Sequence, residues 1–211
     1  IMSGGPDSLC VAAYLKNCKN YEIKTLAFSY GQRAMREIRI AEKFSKMLNA
    51  EEHQTINMNF MKNLYGDSNA LTNENTRLAE NFNYNIVVPI RNAIFITIAA
   101  AWAISCNARL IAYGAHSEDK HYPDCRPEFI NSIAKSLNLA EEDRIKLGLK
   151  EKISIWSLSL VGMIKSQLLK NGYEILGDLV FESWSCYSNG LNIRGKGIVH
   201  CGKCESCINR K

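Results

Sequence analysis

The sequence predicts an α/β protein built on a doubly wound parallel sheet, and three observations carry the prediction. Short runs apolar enough to be buried on both faces alternate with longer stretches of helical periodicity. The alternation persists along most of the chain, with no internal repeat. The first eight residues, Ile1-Met2-Ser3-Gly4-Gly5-Pro6-Asp7-Ser8, read as a strand end, a glycine loop and a helix start. With 211 residues, 46% of them apolar, the chain is long enough for one sizeable core and a small appendage.

The opening loop is built to hold an anion. Gly4 and Gly5 allow a tight turn and close approach of a ligand, and the helix that follows points its positive end at the loop. Ser3 and Ser8 add hydroxyl donors. Asp7 repels phosphate unless it holds a bridging Mg²⁺, and otherwise serves as a helix cap. The stretch lacks the Gly-Lys-Ser/Thr of a P-loop and the third glycine of a dinucleotide fingerprint. With only Ile1 and Met2 before the loop, the first strand is expected to be mostly missing from the sequence.

In order, residues 8–18 read as a helix and 23–30 as a strand. Gly31-Gln32-Arg33 turns into a helix over 34–48, where Ile38, Ala41, Phe44, Ser45 and Leu48 share one face. Residues 51–57 are a third strand. Seven asparagines between Asn63 and Asn85 mark 58–85 as a long polar connection, read as a lid. Val87-Val88-Pro89-Ile90 leads through Arg91-Asn92 into an apolar helix over 93–106. Residues 109–114 are a strand, and 115–127 a loop dense in polar groups. Pro127 opens a helix over 128–139, 140–152 is a charged surface excursion, and two or three helices complete the chain. The domain division is 1–155 for the α/β part and 156–211 for a helical segment ending in cysteines.

No stretch is read as long enough to span a bilayer. The best candidate, Ala93 to Ile104, reads as a buried helix. The net charge of +5, without a long basic run, suits an anionic ligand and gives little sign of a nucleic-acid groove or a membrane surface. Four of eight cysteines fall in the last 26 residues at metal-ligand spacing, which points to a reduced, cytoplasmic protein. Cys201, Cys204 and Cys207 repeat every third residue, with Cys186 upstream. Four thiolates suit a closed structural zinc site. An iron–sulfur cluster is the main rival, His200 is an alternative fourth ligand, and free or disulfide-linked cysteines are the plain alternative.

Five stretches, taken together, resemble the 7-cyano-7-deazaguanine synthase family. They are Ser3-Gly4-Gly5-x-Asp7-Ser8; Tyr30-Gly31-Gln32-Arg33; Val88-Pro89-x-Arg91-Asn92; Tyr122-Pro123-Asp124-Cys125-Arg126-x-Glu128-Phe129; and Ser185-Cys186-Tyr187 with His200-Cys201-Gly202-x-Cys204-x-x-Cys207-x-x-Arg210. The first is shared with ATP pyrophosphatases generally, the PP-loop enzymes. The resemblance implies the PP-loop α/β fold and the reaction of ATP, ammonia and 7-carboxy-7-deazaguanine. The carboxylate is adenylated, ammonia displaces AMP, and the amide is activated again and dehydrated to the nitrile, a precursor of queuosine or archaeosine.

It also implies roles. Met2, Ser3, Gly4, Gly5, Pro6, Asp7, Ser8, Leu9 and Cys10 would form the ATP site with Mg²⁺, and Tyr30, Gly31 and Gln32 would lie near the adenine. Asp7, Ser8, Arg91 and Lys165 would be catalytic. Arg91, Asn92, Asp124 and Arg126 would meet the substrate, with Asp124 accepting from the ring's donor edge and Arg126 facing the carboxylate. Cys186, Cys201, Cys204 and Cys207 would hold Zn²⁺. A homodimer is implied, and no direct contact with nucleic acid. The chain departs from the family pattern at Ile90, at Lys120-His121 and in its longer spacer between Cys186 and Cys201. His116 and His121 share a loop with Asp119 and Asp124, but match no metal-ligand spacing and are read as ordinary loop histidines. Two alternatives stand beside the nitrile synthase: another PP-loop adenylating enzyme, acting on a tRNA base or a different carboxylate, and a non-catalytic zinc-ribbon binding protein.

Overall fold

Strand β1 (Lys24–Ser29) shows why the fold needs two layers of helices. Leu26 and Phe28 point into one apolar cluster and Ala27 into another, so both faces of the strand are covered. A computed structural model describes residues 1–119 and 121–210. On one side, α1 (Pro6–Lys19) and α2 (Arg36–Met47) bury Leu9, Ala13, Ala41 and Phe44 against Met2 and Ala27. On the other, α4 (Arg91–Ser105) buries Phe95, Ile96, Ala99, Ala100 and Ala103, joined by Ile130 of α5 (Pro127–Ala140). Phe95 stacks on Phe28 with ring centroids 4.1 Å apart.

β1 pairs in parallel with β2 (Glu52–Asn57), which is followed by the short helix α3 (Phe60–Tyr65). β3 (Leu110–Ala112) pairs in parallel with β4 (Ser154–Trp156), after the single turn α6 (Glu142–Lys146). The first two residues lie between these pairs: Met2 N donates to Leu26 O (2.8 Å) and Ile1 N to Ala112 O (2.6 Å). Next, α7 (Lys165–Leu176) packs on α1 through Cys10, Val11, Leu15 and Leu168. The chain ends with an antiparallel hairpin, β5 (Leu191–Ile193) and β6 (Gly197–Val199), and the short helix α8 (Glu205–Ile208).

Several expectations change here. β4 stands where only helices were anticipated. It is three residues long, and its cue is the alternation of buried Ile153 and Ile155 with exposed Ser154. The longer spacer between Cys186 and Cys201 is the β5–β6 hairpin, turned by Gly195 and Gly197 at φ +81° and +71°. The excursion over 140–152 contains α6.

The 22-residue run Tyr84–Ser105 is long and apolar enough, by length and composition, to cross a membrane, which corrects the shorter Ala93–Ile104 estimate. It is interrupted by a 3-10 turn at Tyr84–Ile86 and by Ile90 at φ +49°, and its helical part sits in the core.

Residues 58–85 are less polar in space than in sequence. Met58, Met61, Ala70 and Leu71 are buried, and Asn69 turns its side chain inward to accept from Leu71 N. Arg33 Nη1 donates to the carbonyls of Ala70, Asn73 and Thr76 (3.3, 3.4 and 2.7 Å), which fixes the path of the segment.

Candidate active site

The glycine loop and the start of α1 form the floor of a cavity of about 870 Å³. Pro6 opens α1, where a missing N–H is harmless. Gly4 has φ +81°, and a Cβ there would lie 2.4 Å from Glu37 O, so α2 packs directly on the loop. Ser8 Oγ closes the turn, accepting from Ser3 N and from Ser3 Oγ (both 3.1 Å) and donating to Gly5 O (3.0 Å). Trp184 N donates to Gly4 O (2.8 Å) and ties the C-terminal segment to the loop.

At the mouth of α1, Lys165 Nζ reaches Asp7 Oδ2 at 3.1 Å, although the two residues lie on different helices. Asp7 Oδ1 is buried with no hydrogen-bond partner among the described residues. Opposite stand His116 and Asp119. The His116 backbone N–H donates to Asp119 Oδ2 (2.9 Å) and its Nε2 lies 3.5 Å from Oδ1, while Nδ1 is buried with no hydrogen-bond partner among the described residues. Burial pushes the Asp119 carboxyl up, against the pull of His116.

Deeper in, Arg91 Nη1 donates to the Tyr30 hydroxyl at 3.2 Å, and its guanidinium lies 5.8 Å from that ring's centroid. Gln32 closes the end of β1, accepting from Tyr30 N (2.9 Å) and donating to Phe28 O (3.0 Å). Glu37 lines the same wall, and burial pushes its carboxyl up to about 8 against the opposing charge of Arg91. An aromatic wall faces them. Phe82 stacks on His121 (4.2 Å) and meets Tyr122 edge-on (5.9 Å), and Tyr187 donates its hydroxyl hydrogen to Glu205 Oε2 (2.7 Å).

Most of the residues singled out in the sequence converge here. Met2, Ser3, Gly5, Pro6, Asp7, Ser8, Tyr30, Gln32, Arg91, Asn92 and Lys165 line the cavity. Gly4, Leu9, Cys10, Gly31, Asp124 and Arg126 do not. Leu9 and Cys10 are buried on the core side of α1. Gly31, at φ +84°, lies against Lys62, where a Cβ would meet Lys62 Cβ at 2.7 Å. Asp124 Oδ2 accepts from Asn92 N (3.1 Å) and so caps α4, and Asn92 Nδ2 donates to Cys125 Sγ (3.3 Å). Arg126 is exposed. Of the Lys120-His121 pair, Lys120 lies outside the described residues. Glu37, Phe82 and Glu205 line the cavity without having been singled out.

Below the floor, the sulfurs of Cys186, Cys201, Cys204 and Cys207 all lie within 4.8 Å of one another, with Cys201 and Cys207 at 3.8 Å. A tetrahedral zinc site with bonds of about 2.3 Å requires sulfurs roughly 3.75 Å apart, so the four residues fit a metal such as zinc. The Cys204 thiol and then the Ser188 hydroxyl hold Cys186 well below the usual thiol range against its burial, while Cys186 and burial push Cys204 up. His200 is occupied elsewhere: its Nε2 accepts from Ser185 N (3.3 Å) and its ring stacks on Trp184 (4.3 Å).

The family model described as "Queuosine biosynthesis protein QueC" matches residues 1–211. The chain belongs to the QueC family. Relatives of this QueC chain named 7-cyano-7-deazaguanine synthase include one from Methanococcus maripaludis, 34% identical over all of this chain and 91% of the relative. Another, from Caldicellulosiruptor saccharolyticus, is 31% identical over all of this chain and 87% of the relative. A third, from Sulfurihydrogenibium, is 35% identical over all of this chain and 90% of the relative. Family membership bears out the resemblance drawn from the five motifs, and nothing favours the thiolation or binding-protein alternatives.

Proposed function

We propose that the chain is an ATP-dependent carbon–nitrogen ligase that converts 7-carboxy-7-deazaguanine and ammonia to 7-cyano-7-deazaguanine. One observation carries the assignment of roles: a phosphate-type loop, two cations from distant segments and an aromatic wall all line one cavity. A carboxylate is a poor electrophile because oxide is a poor leaving group. Adenylation replaces it with phosphate, so the protein's task is to hold two anions together and offset their charge.

In this proposal Ser3, Gly5, Ser8 and the N-terminus of α1 hold the ATP phosphates, and Gly4 fixes the shape of the loop. Asp7 would hold Mg²⁺ through Oδ1, whose lack of a hydrogen-bond partner among the described residues fits that role; the ion would offset phosphate charge. Lys165 supplies a second positive charge at the same place. Tyr30 and Gln32 border the adenine, and Arg91 with Asn92 meets the substrate. Asp124 acts by fixing Asn92. Arg91 is the better placed cation for the substrate carboxylate, because Arg126 lies outside the lining. Zinc at the four cysteines would cross-link the C-terminal segment and take no part in the chemistry.

The wider organisation follows the same scheme. A doubly wound order, β2-β1-(residues 1–2)-β3-β4, accounts for the two hydrogen bonds of Ile1 and Met2. Residues 1–155 supply the nucleotide site and 156–211 close its phosphate side. Residues 58–85 act as the lid that carries Phe82 to the cavity. The enzyme acts in the cytoplasm as a homodimer on small molecules, without direct contact with nucleic acid.

Mass spectrometry of a reaction with 7-carboxy-7-deazaguanine, ATP, Mg²⁺ and ammonium tests this. Nitrile with AMP and pyrophosphate is the expected outcome. ATP bound without nitrile would leave an adenylating enzyme with a different carboxylate.

A further inference from the structure

Nitrile formation from ammonia has a requirement that phosphate-binding groups do not meet. As the nitrogen bonds to the acyl carbon, the carbon–oxygen bond to AMP breaks, its electron pair leaves on AMP, and one proton leaves nitrogen. After the amide oxygen is adenylated in turn, that carbon–oxygen bond breaks as the carbon–nitrogen triple bond forms, and the last two protons leave nitrogen. A group in the cavity must accept protons without holding the positive charge that the phosphates need.

The acids along the cavity wall are mostly engaged. Asp7 is paired with Lys165, and Asp119 with His116. Glu205 accepts from Tyr187 and from Asn209 (2.7 and 2.6 Å), and Glu118 accepts from Lys165 N (3.0 Å). Glu37 differs. It sits in the first turn of α2, and its backbone is locked against the glycine loop at Gly4. Glu37 lines the cavity beside Gln32 and within electrostatic reach of Arg91, the cation assigned to the substrate carboxylate.

We propose that Glu37 is a further catalytic residue, the base that takes protons from the substrate nitrogen when the carbon–oxygen bond to AMP breaks. Its desolvated carboxyl, pushed up to about 8, exists in both forms near neutrality, as such a base requires. The Gly4 contact holds its backbone in place, and the proton passes to solvent between turnovers. This rests on the proposed nitrile-forming reaction.

The test separates the two half-reactions in Glu37→Gln and Glu37→Asp. ATP–pyrophosphate exchange dependent on 7-carboxy-7-deazaguanine, without ammonium, reports adenylation. Nitrile and amide yields with ammonium report the later steps. Glu37→Gln is expected to keep exchange within about threefold of the native chain while nitrile formation falls about 10²-fold or more. Glu37→Asp should recover part of that loss. Nitrile formation within threefold of native, or exchange lost in parallel with nitrile, would overturn the base assignment. If Glu37→Gln does not fold, Glu37→Asp decides alone: slowed nitrile with intact exchange supports the base, and both rates unchanged or both lost overturns it. If the native chain itself makes no nitrile, the functional proposal fails first and this inference with it.

Discussion

Trp184 N donates to Gly4 O at 2.8 Å, so the segment that enters the cysteine cluster is bonded to the loop that floors the cavity. Cys186 lies two residues further on, and the sulfur cluster fixes where Trp184 sits. Removing the metal should therefore weaken ATP binding as well as the C-terminus. A loss of one such hydrogen bond, about 1 kcal/mol, corresponds to a several-fold weaker ATP affinity. Titrating ATP into native, chelator-stripped and zinc-reconstituted protein checks this. Unchanged affinity in fully stripped, folded protein would disconnect the two sites.

Lys165 and Asp7 form an ion pair open to solvent, with side chains about a third and a quarter exposed (34% and 24%). Such pairs contribute about 0–1 kcal/mol to stability. Asp7→Ala and Lys165→Ala are thus expected to melt close to the native temperature. Their effect should fall on function: Asp7→Ala loses ATP binding, and Lys165→Ala lowers turnover by about 10²–10³-fold as charge builds on the phosphates. Isothermal titration and turnover assays on thermally intact variants separate these outcomes. A large drop in melting temperature would mean a structural role instead.

Glu37 carries a pH signature of its own. Its carboxyl rises from the ordinary value of 4.5 to about 8, chiefly through burial. Between those values the native chain keeps a proton that the unfolded chain has released. Stability from this group is therefore full below about 4.5 and is lost as pH rises toward and through 8. Glu37→Gln removes the titration, so the variant should gain on the native protein as pH rises from 5 to about 8.5. Urea denaturation at several pH values measures the difference. A constant difference across that range would contradict the raised carboxyl.

Gly172 lets α7 touch α1. A Cβ there would lie 2.1 Å from Cys10 Sγ and 2.8 Å from Cys10 Cβ. Gly172→Ala should cost about 1–3 kcal/mol by overpacking. Adding Cys10→Ala removes the nearer atom and should recover part of the loss, a non-additive pair. Denaturation midpoints for the two single variants and the double test it.

The glycine loop and three of the four clustered cysteines were legible in the sequence because each stretch is local: the spacing of a few residues fixes the geometry, and Cys186 joins the cluster across the β5–β6 hairpin. So were the central elements, whose apolar runs and 3.6-residue periodicity reflect burial on sheet and helix faces. Strand β4 was hidden because three residues give almost no periodic signal. Glu37 was hidden for another reason. It reads as one more charged residue on an amphipathic helix, and only the packing of α2 on Gly4 brings it to the cavity. Asp124 shows the converse. Its motif drew attention to the right loop, but which of its neighbours it would bond was a tertiary matter, and Asn92 N is the partner.

Ile90 holds a left-handed conformation, φ +49° and ψ 22°, immediately before Arg91 and Asn92. A β-branched side chain in this region costs about 1–2 kcal/mol. The side chain returns little, being 68% exposed. The conformation is nonetheless what turns the chain from Pro89 into α4 and aims Asn92 N at Asp124. Ile90→Gly relieves the strain but frees the unfolded chain, at a cost of about 0.5–1 kcal/mol. The net expected gain is about 0.5–1 kcal/mol, or a melting temperature higher by about 1–4 °C. Turnover should be unchanged, because glycine adopts the same turn. A lower melting temperature that recovers with protein concentration would show instead that Ile90 is covered by a second copy of the chain, where its side chain outweighs the strain of its backbone.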